Sequence, residues 1–118
     1  MHEVGLVAEL VDAAVAYAAV TYPPGARVSL VRVRHATTIP EAVLRQAFEM
    51  LTADGPLASA VLETMPFYRE LRCPCGFDGA LGHDDVIGPD AAVCPACGEL
   101  RSIPPTAELE LLEVRTRP

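Results

Sequence analysis

The sequence predicts an α+β protein: two helices packed on a three-stranded mixed sheet, with a cysteine-rich lobe inserted before the last strand. Three observations predict it. Apolar residues recur first with helical and then with strand periodicity, twice over. All four cysteines fall between positions 73 and 97 of the 118 residues. After Pro104-Pro105 the chain returns to a strand pattern.

Residues 3–21 form the first expected helix, because Val4, Val7, Leu10, Val11, Ala14, Val15 and Ala18 recur at three- and four-residue steps. Pro23, Pro24 and Gly25 stop it. Arg27 to Arg34 is β-branched and partly alternating, and Leu30 and Val31 face opposite sides, so this strand is expected to be covered on both. Thr38 as N-cap with Glu41 three residues on reads as a capping box, with Pro40 in the first turn. Val43, Leu44, Ala47, Phe48, Met50 and Leu51 give an apolar face to a helix over about 40–53, closed by Asp54-Gly55-Pro56. A second strand fits about 58–67, with Ala58, Ala60, Leu62 and Thr64 opposing Ser59, Val61, Glu63 and Met65. The last strand, Glu108 to Val114, places Leu109 and Leu111 opposite Glu110, Leu112 and Val114. The expected units are therefore 1–65 with 106–118, and an inserted lobe at 66–105.

Composition narrows the function. The net charge is −7 and every Lys+Arg residue is Arg. Without Lys there is no Gly-x-x-x-x-Gly-Lys phosphate loop, and the acidic balance argues against nucleic-acid partners. The longest uninterrupted apolar run, Ala13 to Val20, falls well short of the roughly 20 residues of a span. Glu3, Glu9 and Asp12 break any signal-peptide core. The expectation is a cytoplasmic protein, and no catalytic constellation appears: Ser29, Ser59 and Ser102 lie in no nucleophile motif.

Two tight cysteine pairs in such a chain read as a metal site before they read as disulfides. Cys94-Pro95-Ala96-Cys97-Gly98 is a knuckle whose spacing brings both sulfurs to one ion. Cys73-Pro74-Cys75 has one residue fewer, which leaves His83 as a substitute ligand or as a solvated loop histidine beside Asp84 and Asp85. Phe77, Leu81, Val86, Ile87, Val93 and Leu100 make a thin core, so a structural Zn²⁺ on Cys73, Cys75, Cys94 and Cys97 is expected to hold a zinc-ribbon-like lobe together. Rubredoxin-like iron in an electron carrier and a thiol redox pair are the other readings.

The chain opens Met1-His2-Glu3. An α-amine, the following backbone nitrogen and the imidazole of a second-position histidine can close fused five- and six-membered chelate rings. Ni²⁺ and Cu²⁺ favour such nitrogen-rich tetragonal sites. Glu3 can add a ligand, or simply sit well in the first helical turn. His35, at the end of the first strand, is expected at the surface or as an auxiliary ligand.

Met1-His2-Glu3 before a helix, the Ile39-Pro40-Glu41-Ala42-Val43 and Ala47-Phe48-Glu49 stretches, and Cys94-x-x-Cys97-Gly98 together resemble the HypA/HybF family of hydrogenase nickel-incorporation proteins. The resemblance implies a nickel metallochaperone, not an enzyme. His2, with Met1 and Glu3, would bind Ni²⁺ as cargo, and the four cysteines would hold structural zinc. It further implies a nickel-handling GTPase partner and delivery to the hydrogenase large-subunit precursor, and leaves a homodimer open. A zinc-ribbon interaction module without nickel transfer is the alternative.

Overall fold

The computed structural model describes residues 2–117. Helix α1 (His2–Thr21) and strand β1 (Val28–Ala36) are followed by α2 (Glu41–Thr52) and β2 (Val61–Phe67). Five short strands come next: β3 (Glu70–Arg72), β4 (Asp78–Ala80), β5 (Val86–Gly88), β6 (Ala91–Val93) and β7 (Leu100–Ser102). The last strand is β8 (Leu109–Thr116). The expected order and fold class hold.

β1 is the centre of the main sheet, β2-β1-β8. It runs parallel to β2 and antiparallel to β8. A parallel neighbour requires a crossover, and α2 supplies it. Val7, Leu10, Val11 and Ala14 of α1 and Leu44, Ala47 and Phe48 of α2 bury against Val28, Val31, Val33, Leu62 and Val114 of the sheet. The helical periodicity read from α1 is thus the buried stripe. As a whole α1 is long and apolar enough to cross a membrane by composition, despite its interrupting acids. Its buried stripe in the core gives that apolarity a packing role.

Several local expectations are corrected. The α2 capping box does not form. Pro40 is the N-cap, extended at φ −60 and ψ 136, and no side chain caps the helix. Ile39 N–H turns back to the Ala36 carbonyl at 2.9 Å, so Thr38 lies in the preceding turn, out of reach of the first helical amides. Its buried hydroxyl has no hydrogen-bond partner. The Glu41 carboxylate instead accepts from the Thr64 hydroxyl at 2.8 Å and from Arg45 at 3.3 Å. β2 begins three residues later than expected, because Ala58 and Ala60 donate back to Gly55 and Leu57 in successive turns that bury Leu57.

The alternation read for the last strand also fails at one place. Arg32 pairs with Glu113 while the next residue, Val33, pairs with Leu111, so Leu112 is an extra residue on β8. A bulge of this kind resets the period-two alternation. Leu109, Leu111 and Val114 therefore all pack on the same core, whereas Leu112 is exposed. On the opposite face Arg32 bridges Glu63 at 2.7 Å and Glu113 at 3.1 Å across the three strands.

His35 is not at the surface. It is 2% exposed, its Nδ1 lies 3.1 Å from the Ala36 carbonyl oxygen, and its Nε2 has no hydrogen-bond partner. The sequence pattern ends this strand at Arg34; β1 runs on to Ala36 and carries His35 into the sheet.

The five short strands form a hairpin, β3-β4, and a three-stranded antiparallel sheet, β5-β6-β7. Their own core is Leu71, Cys73, Leu81, Ala92, Cys94 and Ile103, with Phe77 and Val86 at its edge. Ile87 and Leu100, expected inside, are exposed. Strands of three residues leave room on the inner face for few side chains. Arg69, 4% exposed at the start of this segment, donates from Nη2 to the carbonyls of Pro89 and Pro104, both at 3.1 Å.

Candidate metal centre

Each cysteine pair sits at the end of a strand that points it inward. Cys73 follows β3, and its N–H donates to the Phe77 carbonyl at 2.8 Å, closing a turn through Cys75. Cys94 follows β6, and its N–H donates to the Glu99 carbonyl at 2.9 Å. Gly76 at φ 108 and Gly98 at φ 77 occupy the left-handed region that each turn requires, where side chains are strained. One cysteine of each pair, Cys73 and Cys94, is buried; Cys75 and Cys97 are exposed.

The sulfurs converge. Cys73 Sγ lies 3.8 Å from Cys97 Sγ and Cys75 Sγ 3.7 Å from Cys94 Sγ, and all four lie within 4.8 Å of one another. A tetrahedron of sulfurs at the Zn–S distance of about 2.3 Å has edges of about 3.8 Å. A disulfide would need about 2.0 Å. The four thiols are free, and their arrangement fits one tetrahedral metal ion such as zinc, despite the short first pair.

The protonation pattern suits such a site. The Cys75 N–H, donating to the Cys73 sulfur, holds the Cys73 thiol down to about 6 against the opposing effect of burial, and side-chain contacts from Cys75, Arg101 and Cys97 assist. At Cys75 the Phe77 N–H acts downward, but the Cys73 sulfur, burial and the Cys94 and Cys97 sulfurs outweigh it and push the thiol up to about 11. One thiolate thus forms readily and keeps its neighbour protonated, so a metal entering here releases protons. Arg101, from β7, donates from Nε to Cys73 Sγ at 3.2 Å. The sequence reading missed Arg101; no spacing rule marks an arginine four residues past a knuckle.

His83 is not part of the cysteine cluster. It is exposed, as the loop reading expected, but its Nδ1 lies against the Thr38 carbonyl oxygen, across from its own segment. There it helps line a cavity of about 550 Å³ together with Glu3, Thr38, Ile39 and Glu108. Of the expected nickel ligands, Met1 and the His2 side chain lie outside the described residues. The His2 backbone opens α1, and Glu3 faces this cavity.

A family profile described as "Hydrogenase/urease nickel incorporation, metallochaperone, hypA" matches residues 1–115. No curated protein matches the chain. Among solved structures, the solution structure of the Ni metallochaperone HypA from Helicobacter pylori is similar, at a TM-score of 0.58 and 18% identity. The similarity covers 97% of this chain and 96% of that one, and at this identity it establishes the shared fold.

Proposed function

Because this chain belongs to the HypA family of hydrogenase/urease nickel-incorporation metallochaperones, we propose that it carries Ni²⁺ at its N-terminus and delivers it to a [NiFe]-hydrogenase large-subunit precursor in the cytoplasm. The observation that carries this reading is the family match, which runs from residue 1 through the cysteine segment to residue 115.

In this reading the Met1 amine, the His2 backbone nitrogen and the His2 imidazole hold the cargo ion, with Glu3 adding a ligand. The start of α1 at His2 supports it. The first four N–H groups of a helix have no intrahelical acceptor, so coordination at His2 breaks no helical hydrogen bond. Cys73, Cys75, Cys94 and Cys97 hold a structural Zn²⁺, which their sulfur spacing fits. We assign 1–65 with 106–118 to the nickel-carrying unit and 66–105 to the zinc lobe; two buried clusters that share no residue support that division. Nucleotide hydrolysis belongs to a nickel-handling GTPase partner, since a chain without Lys has no phosphate loop.

The test is elemental analysis and nickel titration of untagged protein, wild type beside His2→Ala. The expected result is one zinc in both and tight nickel binding in the wild type alone. Equal nickel affinity in the two would refute the N-terminal site.

A further inference from the structure

The structure assigns Arg101 the role of a positioning residue for the metal centre: its guanidinium supplies the second hydrogen bond to Cys73 that the short Cys73-Pro74-Cys75 turn cannot. The inference rests on the zinc reading of the four cysteines.

The donor count leads to it. A metal-bound thiolate keeps lone pairs that accept N–H groups, and such outer contacts orient the ligand and tune its hold on the ion. In the second turn Pro95 has no N–H, and the Gly98 N–H is engaged by the Cys94 carbonyl at 2.8 Å, which leaves the amides of Ala96 and Cys97. In the first turn Pro74 likewise has no N–H, and the Gly76 N–H is engaged by the Cys73 carbonyl at 2.9 Å. For the Cys73 sulfur only the Cys75 amide remains, since the Phe77 N–H serves Cys75. The one-residue deficit in spacing therefore leaves Cys73 one backbone donor fewer within its turn than Cys94 has within its own. Arg101 Nε, 3.2 Å from Cys73 Sγ, fills that place.

The placement is held by the fold. Arg101 pairs with Ala92 in the β6-β7 ladder, and Ala92 is two residues before Cys94. The guanidinium thus reaches from the hairpin that carries the second cysteine pair to the first cysteine of the other pair. Four thiolates around one Zn²⁺ carry a net charge of −2, and the fixed arginine charge offsets part of it. Lysine would keep the charge but lose the planar fork.

The experiment compares zinc-loaded wild type, Arg101→Gln and Arg101→Lys. The readouts are zinc release to a colorimetric chelator and iodoacetamide alkylation of each cysteine mapped by mass spectrometry. Loss of an outer-shell contact typically weakens metal binding 10–100-fold, so release from Arg101→Gln is expected to be about tenfold faster, with Cys73 showing the largest gain in alkylation. Inserting Gly between Pro74 and Cys75 restores the two-residue spacing and a second amide; in the Arg101→Gln background it is expected to return release to the wild-type rate. In ¹¹³Cd-loaded wild type, which needs no variant to fold, the Arg101 Nε proton is expected to show scalar coupling to the metal through the sulfur. Zinc-loaded Arg101→Gln releasing at the wild-type rate, or no such coupling, overturns the inference alone. Wild-type protein that binds no zinc overturns the metal reading and this inference with it.

Discussion

Replacing Cys97 by Ser removes one of the four sulfurs and one corner of the tetrahedron, and the outcome is set by how unequal the two cores are. The core around α1, α2 and the main sheet buries twelve side chains larger than alanine; the cysteine segment buries three aliphatic ones, Leu71, Leu81 and Ile103. At about 1.5–3 kcal/mol per buried side chain, the first is worth about 18–36 kcal/mol of gross hydrophobic stabilisation and the second about 5–9 kcal/mol. Strands of three residues add few ladder bonds. A structural zinc site contributes roughly 10 kcal/mol or more, so in the segment the metal outweighs the side chains. Cys97→Ser is therefore expected to lower zinc content and to unfold residues 66–105 locally. In hydrogen exchange, the amides of Cys73, Val93, Cys94 and Ile103, each bonded to a carbonyl within the segment, should lose their protection. The amides of Val31 and Val33 should keep protection of about a thousandfold or more, as befits a domain stable by about 5 kcal/mol. Loss of protection in both regions at once would show that the two cores fold as one and refute the reasoning.

Arg69→Ala removes two charged-donor hydrogen bonds to the buried carbonyls of Pro89 and Pro104 and is expected to cost about 3 kcal/mol or more in urea unfolding; a change under about 0.5 kcal/mol would count against it. Glu41, held below the ordinary carboxylate range first by the Thr64 hydroxyl and then by Arg45, should titrate low in ¹³C NMR. Its folded value being the depressed one, its stabilisation is present above the ordinary carboxylate pKa and lost as pH falls through the lowered one. Wild type and Glu41→Gln should therefore converge in stability in acid, and a constant gap would contradict this. His83→Ala removes the contact with the Thr38 carbonyl; zinc content should be unchanged, while ¹⁵N relaxation shows the cysteine segment reorienting more freely. Unchanged relaxation would mean that His83 holds nothing.

The element order is legible because periodicity is a local property: the α1 stripe and the β2 alternation each report a single buried side, whereas of the expected α2 face Leu44, Ala47 and Phe48 are buried and Val43, Met50 and Leu51 are exposed. The cysteine cluster is legible for a similar reason, since ligand spacing within each pair is also local. What escapes the sequence depends on register or on tertiary approach. The bulge at Leu112 moves Val114 onto the core, and nothing in Glu108–Val114 announces it. His35 reads as a strand-end surface residue until β1 proves two residues longer. Thr38 and Glu41 satisfy the capping-box pattern, yet a turn closed by Ile39 N–H removes Thr38 from the helix. His83 and Arg101 each act on a residue distant in sequence, Thr38 and Cys73, so no window along the chain contains both partners.

The same distant contacts tie the metal centre to the cavity beside α1. Val93 N–H, next to Cys94, donates to the Asp85 carbonyl at 2.8 Å. Asp85 turns back through its carboxylate, which accepts from the Gly82 N–H at 2.8 Å and closes the short loop that presents His83. His83 then meets the Thr38 carbonyl at the rim of the cavity that Glu3 also lines. The route from Cys94 to Glu3 thus passes through one tight loop of residues 82–85 and the single histidine it carries. Whatever orders the β6 end orders that loop, because its anchoring carbonyl is bonded to the residue beside a metal ligand.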